Sequence, residues 1–269
     1  MTSDADYTRM IRSTFPTLDL WQTAGGTAFR PESGSQLRGD DLDWPYAPLS
    51  AVAHQGLAVA VTHLQAIRVH LEPESGPGQL FPLPQATLCR TALVGAAQAV
   101  WLLVSDDQEV RLCRHRMLIT DMHHNHRQYL TDLQTYAGGE PHEGTEIVAA
   151  HLDTRIQEMK AKRAAAKETA LFRNTKMIRQ AAREVFAGRA DAAQLEQAAV
   201  LVWRSGSGAA HGFFWPTFGG PGMTQTAEPD ANGVAEFAVG GSLGELAEPY
   251  LAAFAMCEQG WKLLRQRGC

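Results

Sequence analysis

From Leu49 to Leu71 the apolar positions Leu57, Val61, Leu64 and Leu71 recur at steps of three, four and seven. That is the spacing of one face of an α-helix. The run Glu72-Pro73-Glu74-Ser75-Gly76-Pro77-Gly78 ends the pattern, because proline removes a backbone donor and glycine favours turns. A second helix is expected over about Pro84 to Val104, with a proline in its first turn, where the missing N–H costs nothing. Ala86, Cys89, Leu93, Ala97, Val100 and Val104 form one stripe, and the other faces are nearly as apolar. A helix hydrophobic all round belongs in the middle of a bundle.

Ser105-Asp106-Asp107-Gln108 has the form of a capping box opening a helix over about 106–135, which Gly138-Gly139-Glu140-Pro141 terminates. Residues 144–170 and 174–187 read as two polar, basic helices. Asp191 with Gln194 caps a further helix leading to Trp203 and Arg204. Ser205-Gly206-Ser207-Gly208 then reads as a break, since each glycine costs about 1 kcal/mol relative to alanine in a helix. The helix resumes over 209–212. Residues 216–233 hold many Gly and Pro and are expected to be a loop, and 234–239 one short strand or extended chain. Ser242-Leu243-Gly244-Glu245 is another capping box, opening a last helix to about Arg267.

Residues 1–47, rich in Gly, Ser, Thr, Asp and Pro, suit an irregular N-terminal arm pinned by Phe15, Trp21, Phe29 and Trp44. The expected architecture is therefore an all-α helical bundle, one domain over 48–269, preceded by that arm. No internal repeat is visible.

Composition narrows the partners more than the fold. With 269 residues, 45% hydrophobic and 20% charged, the chain is ordinary for a globular protein. A net charge of −5 gives no global attraction to nucleic acid or anionic membrane. MTSDADYTRM lacks a basic segment followed by an apolar one, so no signal peptide is expected. The window Ala86 to Val104 is about as long as a membrane span. It contains Arg90 and Gln98 and is followed by charge, so a buried bundle helix is expected and no membrane partner. Cys89, Cys113, Cys257 and Cys269 have no metal-knuckle spacing, which suits a reduced, cytoplasmic protein.

Charge is not evenly spread. Residues 151–189 hold ten Lys/Arg against four Asp/Glu, a local excess of six. Lys160, Lys162, Arg163 and Lys167, then Arg173, Lys176, Arg179 and Arg183, form a candidate strip for a phosphate backbone. The alternative is an ordinary solvated helical face.

The candidate chemistry sits next to this strip, in WRSGSGAAHG (203–212). Arg204 and His211 are seven residues apart, two helical turns, so on an unbroken helix they share one face about 10 Å apart. A kink at the glycines would bring imidazole and guanidinium together. A guanidinium clamps phosphate in bidentate geometry, and an imidazole can take and return a proton near neutral pH. Those groups suffice for cleavage of RNA without a metal. The competing reading has Arg204 capping helix carbonyls and His211 hydrogen-bonded in the core.

Arg204-x6-His211, together with the apolar helix ATLCRTALVGAAQAVWLL (86–103), resembles the HEPN superfamily. These are all-α proteins, many of them RNases, marked by Arg, four to six residues and His near the start of the last core helix. The resemblance spans residues 50–215. It implies a catalytic Arg204 and His211, a homodimer bringing two such pairs together, and RNA as substrate, as in toxin or defence RNases with an antitoxin or other protein partner. Ser205 stands where many HEPN nucleases carry Asn, Asp or His.

Arg90, Ser205, Ser207 and His63 are candidate cleft-lining residues. Arg90 would be costly if buried unpaired and is expected either to reach an edge or an acid, or to line the same cleft. His63 and His70 share a helical face. His123, His124 and His126 diverge by 100° per residue and cannot converge on one ion from a regular helix, so no metal site and no cofactor is expected. Two other function classes stay open: a non-catalytic binding module for nucleic acid, nucleotide or protein, and a structural or assembly role with Arg204 and His211 paired internally.

Overall fold

The computed structural model describes residues 3–73, 75, 77–136, 143–220 and 222–269. It is all-α apart from one small antiparallel hairpin. The helices in chain order are α1 (Asp4–Arg12), α2 (Phe15–Gly25), α3 (Gln36–Asp40), α4 (Leu49–Leu71), α5 (Pro82–Leu103), α6 (Gln108–Tyr136), α7 (Glu143–Ala165), α8 (Asn174–Val185), α9 (Ala192–Ala210) and α10 (Leu243–Gly268). Strands β1 (Met223–Gln225) and β2 (Phe237–Val239) pair with Met223 opposite Val239.

α5 is the axis of the bundle. Its apolar surround predicted this, and α4, α6, α8, α9 and α10 all pack against it. Cys89, Ala92, Leu93, Ala96, Ala97, Ala99, Val100, Leu102 and Leu103 are wholly buried. By length and composition α5 could cross a membrane, but here its apolar surface is taken up by neighbouring helices. Small residues let those neighbours come close. A Cβ on Gly56 of α4 would lie 2.7 Å from the Gly95 carbonyl oxygen, and one on Gly95 would lie 2.5 Å from that of Gly56. The two helices therefore cross backbone to backbone, which only glycine at both positions permits.

α10 lies along the other side of α5 and α4. Its start is the predicted capping box: the Ser242 hydroxyl accepts from the Glu245 N–H at 3.2 Å, and Glu245 reaches back to the Ser242 N–H at 3.3 Å. The cap predicted at Asp191 does not form. Arg189 takes both Asp191 carboxylate oxygens, at 2.9 and 3.0 Å, and α9 begins without a side-chain cap. At α6 it is Asp107, not Ser105, that accepts a first-turn N–H, from Glu109 at 2.9 Å. The Gly138-Gly139-Glu140-Pro141 terminator lies outside the described residues. α7 ends at Ala165, five residues before the expected boundary, and Lys167 adopts φ +56.

The N-terminal segment departs most from expectation. Residues 1–47 are not an irregular arm, since α1, α2 and α3 lie within them. Ile11, Phe15, Leu18, Trp21, Leu37 and Trp44 join the main core, and Trp21 packs on Phe254 of α10 with ring centroids 4.9 Å apart. The buried Tyr250 hydroxyl meets Thr14 Oγ1 at 2.7 Å. Polar composition disguised these short helices because tertiary burial, not local propensity, holds helices of this length. The expected 216–233 loop likewise contains ordered elements: a single 3-10 turn at Trp215–Thr217 overlaps its start, and β1 follows.

α6 and α7 form an antiparallel pair, with a small satellite cluster of Leu130, Ala149 and Leu152 between them. At the other end of α6 a buried charge network ties the N-terminal segment to the bundle. Arg111 grips Asp40 with two bonds, at 2.7 and 3.0 Å, both side chains almost fully buried. Arg116 bonds Asp43 at 2.7 Å and Glu168 at 2.8 Å. His115 is fully buried against the Ala47 carbonyl at 2.9 Å. Burial pushes its imidazole down to about 4.

Candidate functional site on the outer face of α9

The Ser-Gly-Ser-Gly sequence does not break the helix. α9 runs unbroken from Ala192 to Ala210, and His211 is its C-terminal cap residue, at φ −90, ψ 6. The expected kink is absent for a packing reason. A Cβ on Gly206 would strike Arg90 Cβ and lie 2.6 Å from the Ala86 carbonyl oxygen. A Cβ on Gly208 would lie 2.7 Å from Trp215 Cε2. Both glycines are contact points, with α5 and with the turn after α9, and close helix packing offsets their poor propensity.

Because the helix is unbroken, Arg204 and His211 stay about 10 Å apart along the axis, on the same face. Both are exposed. Among the described residues no carboxylate or other acceptor engages the Arg204 guanidinium, which lies 6.0 Å from the Trp203 ring centroid. The His211 ring lies 6.1 Å from that of Phe213. Neither side chain is sealed into the core.

Ser207 falls between them, three residues after Arg204 and four before His211, and so on the same face. Arg90 of α5 reaches it: Arg90 Nε donates to Ser207 Oγ at 2.8 Å, and Ser207 Oγ donates to the Trp203 carbonyl at 2.7 Å. Arg90 is half-buried and has no ion-pair partner among the described residues. The tertiary structure thus inserts a second guanidinium at the midpoint of the Arg204–His211 interval. Ser205, by contrast, turns its hydroxyl toward the Val202 carbonyl at 3.3 Å, within its own helix.

His63 is not part of this face. It lies on α4, which meets α5 at Gly95. Gly95 is five residues, and so about 140°, around α5 from Arg90. Its Nδ1 donates to the Val59 carbonyl at 2.8 Å. The histidine run on α6 diverges as its spacing requires. His123 lies against Trp44, with ring centroids 6.5 Å apart, and His124 Nδ1 donates to the Thr120 carbonyl at 2.7 Å.

The basic strip is divided and partly neutralised. Its first half lies on and just after α7, which packs on α6. Its second half lies on α8, which packs on α5 and α9. Lys162 bonds Asp43 at 2.9 Å. Arg163 is buried, donating to the Ala170 carbonyl and lying 3.5 Å from Glu168. Arg179 and Arg183 share Glu196, at 3.8 and 3.0 Å. Lys160, Lys167, Arg173 and Lys176 are exposed and without an ion-pair partner among the described residues. Sequence separation hid these pairings, since Asp43 and Lys162 are far apart in the chain.

Beyond His211 the chain exposes Phe213, Phe214, Trp215 and Phe218. Their apolar surface adjoins the polar face of α9 at its C-terminal end. The chain matches no protein-family model, no curated protein and no solved structure.

Proposed function

We propose that the chain is a metal-independent endoribonuclease of the HEPN kind, acting in a toxin or defence role. The observation that supports this is the Arg90–Ser207 bond on the face that Arg204 and His211 share. A phosphodiester seated over Ser207 lies one helical turn from Arg204 and one from His211, with Arg90 beside it. Two guanidiniums then hold the non-bridging oxygens and offset charge that builds up in the transition state. His211 takes the proton from the ribose 2′-hydroxyl as its oxygen bonds to phosphorus. The bond from phosphorus to the 5′-oxygen breaks, and that oxygen receives a proton from an imidazolium. The products are a 2′,3′-cyclic phosphate and a 5′-hydroxyl. A homodimer facing two such surfaces supplies separate imidazoles for the two proton transfers. Lys160, Lys167, Arg173 and Lys176, the unpaired part of the basic strip, bind the backbone further along. An antitoxin or other protein partner would cover this face.

The test is incubation of purified protein with RNA in the presence of a chelator. Arg204→Ala and His211→Ala should each lower cleavage by about 100-fold or more, the scale of a lost acid–base catalyst. Cleavage that persists in both variants rejects the assignment.

The unbroken helix favours one alternative, a non-catalytic nucleic-acid-binding module in which the two groups act on separate phosphates. It predicts saturable, salt-sensitive binding without turnover. A purely structural role has less support, because Arg204 and His211 face solvent.

A further inference from the structure

A groove of 330 Å³ opens between α5, α6 and the start of α8. Its floor and walls are Trp101, Met117 and Phe172, and its cations are Arg114, Arg173 and Lys176. Trp101 is held rigidly. Its Nε1 donates to Gln180 Oε1 at 2.7 Å, and its ring lies 5.8 Å from that of Phe172. Arg114 lies across this ring, 5.5 Å from its centroid, and donates one η-nitrogen to the Trp101 carbonyl at 2.7 Å. Its other donors have no acceptor among the described residues. Burial of this guanidinium pulls its pKa below the usual arginine range, against the opposing charge of Glu184, which forms no ion pair with it among the described residues.

Charge decides what would fill the space. Three cations face the groove and one acid lines it, Glu109, which leans to within 3.9 Å of Arg116. Arg173 is the N-cap residue of α8 and makes no side-chain cap, so the positive end of that helix opens at the same mouth. A half-desolvated cation flanked by two free ones attracts an anion, and the aromatic wall favours a flat ring over a hydrated ion. The volume lies at the lower end of the range for small-ligand sites.

We propose that this groove binds a planar aromatic anion, with its ring against Trp101 and Phe172 and its phosphate or carboxylate held by Arg114, Arg173 and Lys176. The assignment does not depend on RNA cleavage, although Arg173 and Lys176 also belong to the basic strip. A nucleoside monophosphate and an aromatic carboxylate share this chemistry, and the experiment separates them.

Calorimetric titration of the full chain with AMP and, separately, with salicylate should show saturable binding of at least one anion. Adenosine and benzyl alcohol, which lack the charge, should bind at least about tenfold more weakly, the equivalent of one good charge-assisted hydrogen bond. The double variant Arg173→Ala/Lys176→Ala changes two exposed side chains and should lose about tenfold in anion affinity. Phe172→Ala should weaken the same ligand. Cys113 also lines the groove, so in a Cys269→Ser background the bound anion should slow its alkylation, Cys89 and Cys257 being buried. AMP binding alone identifies a nucleotide site, and salicylate binding alone a carboxylate site. The proposal is overturned if neither anion binds at millimolar concentration, if the neutral analogues bind equally well, if neither set of variants changes affinity, or if Cys113 reacts at the same rate with ligand bound.

Discussion

Arg90 Nε lies 2.8 Å from Ser207 Oγ, joining the central helix α5 to the exposed face of α9 midway between Arg204 and His211. The bond fixes one guanidinium of the face by tertiary contact, while Arg204 projects freely. Ser207→Ala should cost about 1 kcal/mol of stability, the scale of one hydrogen bond. Arg90→Ala should lower the slope of log affinity for RNA against log salt by about one, the signature of one lost phosphate contact. Binding titrations at several salt concentrations check this. An unchanged slope would remove Arg90 from the site.

The glycines of α9 and of the α4–α5 crossing should reject alanine, although alanine is the better helix former. Gly206→Ala drives a methyl into Arg90 and the Ala86 carbonyl, and Gly95→Ala drives one into the Gly56 carbonyl. Each should destabilise by about 1–3 kcal/mol, the range for overpacking. Chemical denaturation measures it. Equal or greater stability in either variant would mean the helices can separate without cost.

The Asp40–Arg111 pair should be far more sensitive to loss of one partner than of both. Asp40→Ala leaves a buried guanidinium without its carboxylate and should cost about 3–5 kcal/mol. Asp40→Leu with Arg111→Met should recover much of that. A double-mutant cycle by denaturation reads the coupling, and strictly additive losses would contradict it.

His115 makes the fold acid-sensitive. Its folded-state value of about 4 lies below the usual 6.5, so between those pH values the unfolded chain binds more protons and stability rises with pH. The contribution is complete above pH 6.5 and is lost as pH falls toward 4, by about 3 kcal/mol. Burial pushes the Asp43 carboxyl up, but Arg116 and Lys162 together hold it below the usual range, so it loses its contribution at still lower pH. His115→Gln should flatten the stability profile between pH 6.5 and 4, as followed by thermal melts across that range.

Capping provides a contrast between two residues that look alike in sequence. Ser242→Ala removes a formed capping box and should cost about 1 kcal/mol. Asp191→Ala removes only an exposed surface pair with Arg189 and should leave stability essentially unchanged. Thermal denaturation of both variants checks the difference.

Local pattern alone determined the elements whose signal is repeated along their length. The limits of α4, the all-round apolar character of α5 and the box opening α10 were all legible, because periodicity and caps act over one to four residues. The same reasoning placed Arg204 and His211 on one face of an unbroken helix, and α9 is unbroken up to His211.

Tertiary structure decided what depends on partners distant in the chain. Ile11, Leu18 and Trp21 form helices because α10 and α4 bury them, and Gly206 stays helical because α5 presses against it. Four of the eight strip cations are occupied by Asp43, Glu168 and Glu196. Arg90, which in sequence is a cation inside an apolar helix, reaches the α9 face through Ser207. A side chain's type fixes the bonds it can make, but only the folded chain sets which partner is within 3 Å, and charge and hydrogen bonding act through that distance.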